Sequence, residues 1–303
     1  MKFLLRPMGV PGDNVAMSHT DTQADDPLAH AIEKFHAAWC KGQGHAAANC
    51  AKTPTNDIPH GFFPWFCGPQ KLGYLSAARA RLLAQHLKHT RLQAERLDWD
   101  AGHWSVGSRS DALQQALLTL REAGHLPGWR DETFSFLETG SERPFVRAER
   151  AGFYFLGMRS EAVHVNGVTA DGRMWIARRS VNKAVDPGLL DNLCAGGLGA
   201  DEAPLQALTR ELFEEAGLHL QAAHNLRYAG SVNVGRVREG GWHEERLRVY
   251  NLLLAAGEQP VNQDGEVQDF QLLEAAEIAR LIAGGQFTPD AAAAISQGLL
   301  TQG

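Results

Sequence analysis

The sequence predicts an α/β layered domain with a mixed sheet, preceded by a small α+β domain. Three observations carry this. The second half interleaves short alternating strands with amphipathic helices, the pattern of layered α/β folds. The first half sets two helical segments around a hairpin signal, the texture of a smaller unit. The length, 303 residues, fits about two domains at the usual ~100–200 residues each. Hydrophobic residues at 44% and charged residues at 21% exclude wholesale disorder.

Residues 1–26 read as a flexible tail, because Gly, Pro, Ser, Thr and Asp cluster through SHTDTQADDP. The opening apolar run is too short for a secretion signal, and Met17 is a candidate start. The N-terminal α+β domain is expected over 27–148. Leu28, Ile32 and Phe35 predict a helix over 26–40, and a turn-rich stretch holding FFPWF follows to residue 69. Ser76 caps a helix carrying Leu82, Leu83 and Leu87, residues 92–106 suggest a strand and hairpin, and Ser110 or Asp111 starts a helix ending at Gly124.

The second domain is expected over 149–303. The segment AVHVNGVTADGRMWIARRS predicts two strands joined by a turn at Asp171–Gly172. A further apolar strand is expected over 189–195, a helix over 203–216, strands near 226–235 and 246–254, and helices near 274–283 and 289–300.

The chemistry concentrates in Gly196–Leu218, GGLGADEAPLQALTRELFEEAGL. Asp201 reads as an N-cap, Pro204 fits the first turn, Leu205, Leu208 and Leu212 form the buried stripe, and Gly217 ends the helix. At ~100° per residue, Glu211, Glu214 and Glu215 share an arc of about 100°. Three carboxylates so close repel one another, and a hard divalent cation such as Mg²⁺ or Mn²⁺ relieves them. Arg210, a turn before Glu214, can fix that carboxylate. Gly196 and Gly197 let backbone carbonyls approach a metal or phosphate. The bland alternative is a solvated acidic helix face, which does not account for Arg210, Glu202 and the glycines together.

The spacing Gly196, Glu202, Arg210-Glu211-Leu212, Glu214-Glu215, Gly217-Leu218 fills the pattern G-x5-E-x7-R-E-U-x-E-E-x-G-U, with U aliphatic. The chain thereby resembles the Nudix hydrolase superfamily over about residues 150–300. The resemblance implies an α/β/α sandwich and divalent-metal cleavage of a diphosphate bond. It implies Glu211, Glu214, Glu215 and the Gly196 carbonyl as metal ligands, with Arg210 and Glu202 as supports. VHVNG (163–167), MWIARRS (174–180) and DPGLLDNLCAGG (186–197) are similar to the thiamine-pyrophosphokinase-like Nudix subgroup. There a poorly characterised N-terminal domain precedes the Nudix domain, and thiamine diphosphate or an oxidised analogue is an implied substrate.

The attacking water needs a base, a box glutamate or Glu266, with Glu244 and Glu245 as weaker rivals. Arg178, Arg179 and Lys183 form a basic cluster that could hold phosphate oxygens; His164 and Asn166 are pocket candidates at a strand end. Trp65, Phe66, Trp99, Trp104 and Trp129 are mostly core, with one free to stack on a flat ring.

The formal charge of −6 argues against a general nucleic-acid partner, and no apolar run approaches the roughly 18 residues of a membrane span. Cys40, Cys50, Cys67 and Cys194 match no zinc spacing and read as thiols in a reducing cytoplasm rather than as a metal site with His36, His45 and His60. A monomer or homodimer acting on a small-molecule diphosphate is expected. The alternative is a non-catalytic ligand-binding or regulatory module on the same scaffold; an isomerase is more distant.

Overall fold

The computed structural model describes residues 27–42, 58, 60–220, 225–238 and 240–300. The expectations about residues 1–26, Met17, Cys50 and His45 lie outside the described residues, as does the side chain of Cys40.

Helix α1 (Pro27–Gly42) forms as its spacing predicts, and buries Leu28, Ile32 and Phe35. Its position in the chain suggested the N-terminal domain. It packs instead on Val168, Met174, Ile176 and Ile278, against the second sheet. An apolar stripe shows that a helix buries one face, not what covers it.

The first sheet runs β2 (Gln70–Ser76), β1 (Phe62–Cys67), β4 (Arg96–Trp99), β3 (Thr90–Gln93). FFPWF is thus a strand, not a turn: Phe63, Trp65 and Cys67 alternate into the core. Pro64 is tolerated because β4 pairs only with residues 65–67 of β1. Ser76 caps α2 (Ala77–His86), its Oγ accepting from the Arg79 N–H. Helix α3 (Val106–Glu122) begins at the Ser105 cap, earlier than the expected Ser110 or Asp111. Ser110 Oγ instead donates to the Val106 carbonyl and accepts from the Arg147 N–H. A hairpin of β5 (Thr133–Leu137) and β6 (Pro144–Glu149) leads into α4 (Arg150–Leu156).

The second sheet is mixed, in order β11 (Leu226–Arg238), β12 (Gly241–Leu253), β7 (Arg159–Val168), β8 (Arg173–Arg179), β13 (Val267–Glu274). Strands β7 and β12 are parallel. Alternation along β7 serves both faces. Val163 and Val165 pack on α5 (Pro204–Ala216). Ala162 joins a cluster with α7 (Pro289–Leu300), and Val168 one with α1 and α6 (Ala275–Ala283). Helices on both faces make the expected sandwich.

The predicted strand over 189–195 is split. β7 and β8 pair only at Gly167–Trp175 and Val168–Met174. Beyond this they splay, and β9 (Leu190–Asp191) joins β8 while β10 (Cys194–Gly197) joins β7. The splay opens a cleft at the sheet end.

Candidate active site

Helix α5 starts at an N-cap that is Ala203, not the expected Asp201. Asp201 pairs instead with Arg147, 2.9 Å away on β6. The Ala203 N–H is satisfied by Gln206 Oε1 at 2.8 Å. The expected buried stripe also needs correction: Leu205 is 51% exposed, whereas Ala207, Leu208, Leu212, Glu215 and Ala216 are buried. The helix therefore turns Glu215 inward. Gly217 closes it at φ 65°, where an added Cβ would meet the Val261 carbonyl.

Arg210 organises the acidic residues. Its Nε and Nη2 donate to the two Glu202 oxygens at 2.9 and 3.0 Å. Its Nη1 donates to Glu211 Oε1 at 2.5 Å and Glu214 Oε2 at 3.2 Å, and Nη2 reaches the Gly197 carbonyl at 3.3 Å. Burial works against the Glu202 carboxylate, but these bonds and the Gly199 N–H hold it below its ordinary range. Glu211 is pushed up by burial, with Arg210 opposing. Glu215 accepts from the Ala195 N–H at 2.9 Å, and Lys183 Nζ stands 3.7 Å away. Burial raises its carboxyl to about 8.

Both glycines of β10 are dictated by contact. A Cβ on Gly196 would fall 1.8 Å from Glu211 Oε1, and one on Gly197 would fall 2.7 Å from Phe134 Cζ on β5. The N-terminal hairpin braces the same loop, since Ala200 N–H donates to the Thr133 carbonyl at 2.8 Å.

The cleft has a volume of about 350 Å³ and is lined by Gly196, Gly197, Arg210, Glu211 and Glu214 on the α5 side. Of the other predicted residues, His164, Arg179, Lys183 and Glu266 line it as well. Lys183 is ion-paired with Glu266, and burial pulls its ammonium below the usual range. Arg179 donates to Asp191 and to the Val185 carbonyl. Arg178 does not reach the cleft: it precedes Arg179 on the same strand, so the two point to opposite faces, and it binds the Gly188 carbonyl at 3.0 Å. Asn166 does not line the cleft either. It is buried behind His164 in a chain of amides: His164 Nδ1 meets Asn192 Oδ1 at 2.8 Å, Asn192 donates to Asn166, and Asn166 donates to Asn251 at 3.0 Å. Of the weaker rivals, Glu245 lines the cleft and Glu244 does not.

Among the described residues no three His, Cys, Asp or Glu side chains converge as a ready-made metal cage, since Arg210 holds Glu211 and Glu214. The donors nonetheless suit a hard cation. All are oxygens, and Glu215 is a buried carboxyl with one N–H and a distant ammonium for company. Arg130, Glu132, Arg150 and Tyr154 also line the cleft from the N-terminal half, as do Arg238 and His243 from the β11–β12 hairpin. No local spacing marks these six. Trp65 and Trp99 are core, and none of the five predicted aromatics lines the cleft.

The NUDIX domain family model matches residues 158–293, and that of DUF4743, a domain of unknown function, matches residues 45–160. Nudix hydrolase 24, chloroplastic, of Arabidopsis thaliana is 33% identical over 185 residues, covering 60% of this chain and 51% of that protein. Nudix hydrolase 20, chloroplastic, of the same plant is 33% identical over 177 residues, covering 57% and 47%. The chain thus spans about half the length of these curated relatives. The crystal structure of DR0079 from Deinococcus radiodurans is similar at 20% identity, with a TM-score of 0.45, covering 55% of this chain and 98% of that one. No described helix is long and apolar enough to cross a membrane. The carboxylate-rich helix α5, the glycine strand β10 and the splayed sheet around them fall within the residues that match the NUDIX domain model, and the β5–β6 hairpin that braces them falls within those that match DUF4743.

Proposed function

We propose that the chain is a metal-dependent pyrophosphohydrolase that cleaves the diphosphate bond of a small organic or nucleoside diphosphate derivative. The observation that carries this is the Arg210 guanidinium gathering Glu202, Glu211 and Glu214 at the mouth of the cleft, with Gly196 pressed against Glu211. Such a cluster concentrates negative charge where a cation and a phosphate can meet. Glu211, Glu214, Glu215 and the Gly196 carbonyl would hold Mg²⁺ or Mn²⁺. That ion, when bound, neutralises charge building on the phosphate oxygens and favours ionisation of water.

The chain's own groups do the rest. Arg179 and Lys183 face the cleft and offer donors to phosphate oxygens. A phosphate that draws the Lys183 ammonium away frees the Glu266 carboxylate to accept a proton from water. Asn192 engages His164 Nδ1, which leaves Nε2 to meet the substrate. The buried free thiols Cys67 and Cys194 suit a reducing compartment such as the cytoplasm. Among small diphosphates, thiamine diphosphate or an oxidised relative ranks first, on the strength of VHVNG, MWIARRS and DPGLLDNLCAGG.

Monophosphate release from a panel of diphosphates with Mg²⁺ tests the reading. Glu214→Gln and Glu215→Gln should each lower kcat by orders of magnitude while the protein stays folded. Binding without turnover across the panel would favour the non-catalytic module. Wild-type rates in both variants would remove the glutamates from the chemistry.

A further inference from the structure

The N-terminal domain does more than precede the Nudix domain. It builds one wall of the cleft. Helix α4, beyond the boundary expected at 148 but within the residues that match DUF4743, contributes Arg150 and Tyr154, and the segment before β5 contributes Arg130 and Glu132. The opposite hairpin is docked on the same domain. A Cβ on Gly241 would strike the Arg79 guanidinium, Trp242 meets Tyr74 with ring centroids 6.2 Å apart, and His243 meets Tyr154 at 4.6 Å. Arg79 Nη1 in turn donates to the Tyr154 and Phe155 carbonyls. Position along β12 and the clasp from α4 together fix His243.

The polar state of this wall identifies what it meets. His243 is 7% exposed and lines the cleft, yet its ring makes no hydrogen bond to protein among the described residues. Burial, together with Arg238, Arg236 and Arg150, keeps the imidazole neutral. It therefore offers one donor and one acceptor nitrogen. Two residues along the same strand face, Glu245 also lines the cleft, bonded by Ser160 Oγ at 2.9 Å and pushed toward its neutral form by burial and Asp290. The guanidiniums of Arg150 and Arg236 are bonded to Glu132 and to Asp186 and Asp290, while Arg130 and Arg238, also in the lining, have no carboxylate partner among the described residues, so the neighbourhood is polar and charged. An alkyl chain placed here would strip water from His243 and Glu245 and return no hydrogen bond.

We propose that Tyr154 and His243 form the subsite for the organic group of the diphosphate, and that this group is a polar ring or sugar bearing hydrogen-bond donors and acceptors, not an alkyl or isoprenoid chain. The proposal rests on the reading of the α5 carboxylates as the diphosphate site. It makes the N-terminal domain part of substrate selection.

The test uses the full chain and four probes: ADP-ribose, thiamine diphosphate, geranyl diphosphate and methyl diphosphate. The last carries almost no organic group. With Mg²⁺, at least one polar probe should exceed geranyl diphosphate in kcat/KM by about 10²-fold or more. His243→Ala should raise KM for that probe about tenfold with little change in kcat, as expected for one lost hydrogen bond. The loss on methyl diphosphate should be smaller than on that probe, and His243→Gln should recover part of the loss. A geranyl preference, or equal losses on methyl diphosphate, would overturn the subsite. A second measurement does not need hydrolysis. In Glu214→Gln protein, a polar probe should shift the His243 imidazole NMR resonances and geranyl diphosphate should not. If that shift appears while the wild type hydrolyses none of the probes, the hydrolase reading fails and the subsite stands. If no probe moves the resonances, the subsite fails whatever the turnover.

Discussion

Gly196→Ala isolates the geometry on which the site depends. The added Cβ would lie 1.8 Å from Glu211 Oε1, 2.0 Å from its Cδ and 2.6 Å from its Cγ. Ordinary contacts are about 3.5–4.0 Å, so the Glu211 carboxylate must retreat by about 2 Å. The backbone of Gly196 is not left-handed, and alanine fits it without strain. The retreat breaks the Arg210–Glu211 bond of 2.5 Å. Arg210 is 38% exposed but Glu211 only 12%, so losing that ion pair should cost about 1–3 kcal/mol of stability. Catalysis is less forgiving, because a displacement of about 1 Å can cost ~10²-fold in rate. The expected outcome is a folded protein with kcat reduced about 10²-fold or more. Gly199→Ala serves as the control, since its Cβ would meet the Glu202 side chain at an ordinary 3.7 Å. Thermal melts and Mg²⁺-dependent monophosphate release on both variants give the readout. Wild-type kcat in Gly196→Ala would refute the placement of Glu211 in the reaction.

Three further outcomes follow from the packing and the charges. Without metal, burial raises the Glu215 carboxyl to about 8 from its ordinary 4.5, so the folded state keeps a proton that the unfolded chain releases. Its contribution is present below pH 4.5 and is lost as pH rises through 8; melts in EDTA should show that decline, Glu215→Gln should flatten it, and an unchanged slope in the variant would contradict the assignment. Leu212→Ala should destabilise by ~2–5 kcal/mol, whereas Leu205→Ala should stay within about 0.5 kcal/mol; denaturant titration distinguishes the buried stripe observed from the one predicted. Asn166→Ala should cost ~1–3 kcal/mol by orphaning Asn192 and Asn251, and the double variant with Asn251→Ala should cost less than the sum of the single losses.

The elements legible in the residues are those whose signal is local. The α5 box is readable because a carboxylate cluster, its arginine and its glycines sit within one helix and the loop before it. Helices α1, α2, α6 and α7 and the β7–β8 hairpin are equally local, each set by a period or a turn. Where the reading failed, the deciding contact was distant. FFPWF looked like turn because Pro64 is locally unsuited to a strand, and only the partial reach of β4 makes it tolerable. Leu205 looked buried by spacing, but no described residue covers that flank of α5, while Glu215 turns inward and meets the Ala195 N–H of β10. Tertiary structure alone decided the cleft. The splay of β7 from β8 inserts β10 beside α5, and the docking of α4 on β12 brings Tyr154 to His243, 89 positions later in the chain by their numbers. Helix periodicity and turn chemistry are written in neighbouring residues; the meeting of side chains from two domains depends on how whole layers pack, and no short window of sequence contains that.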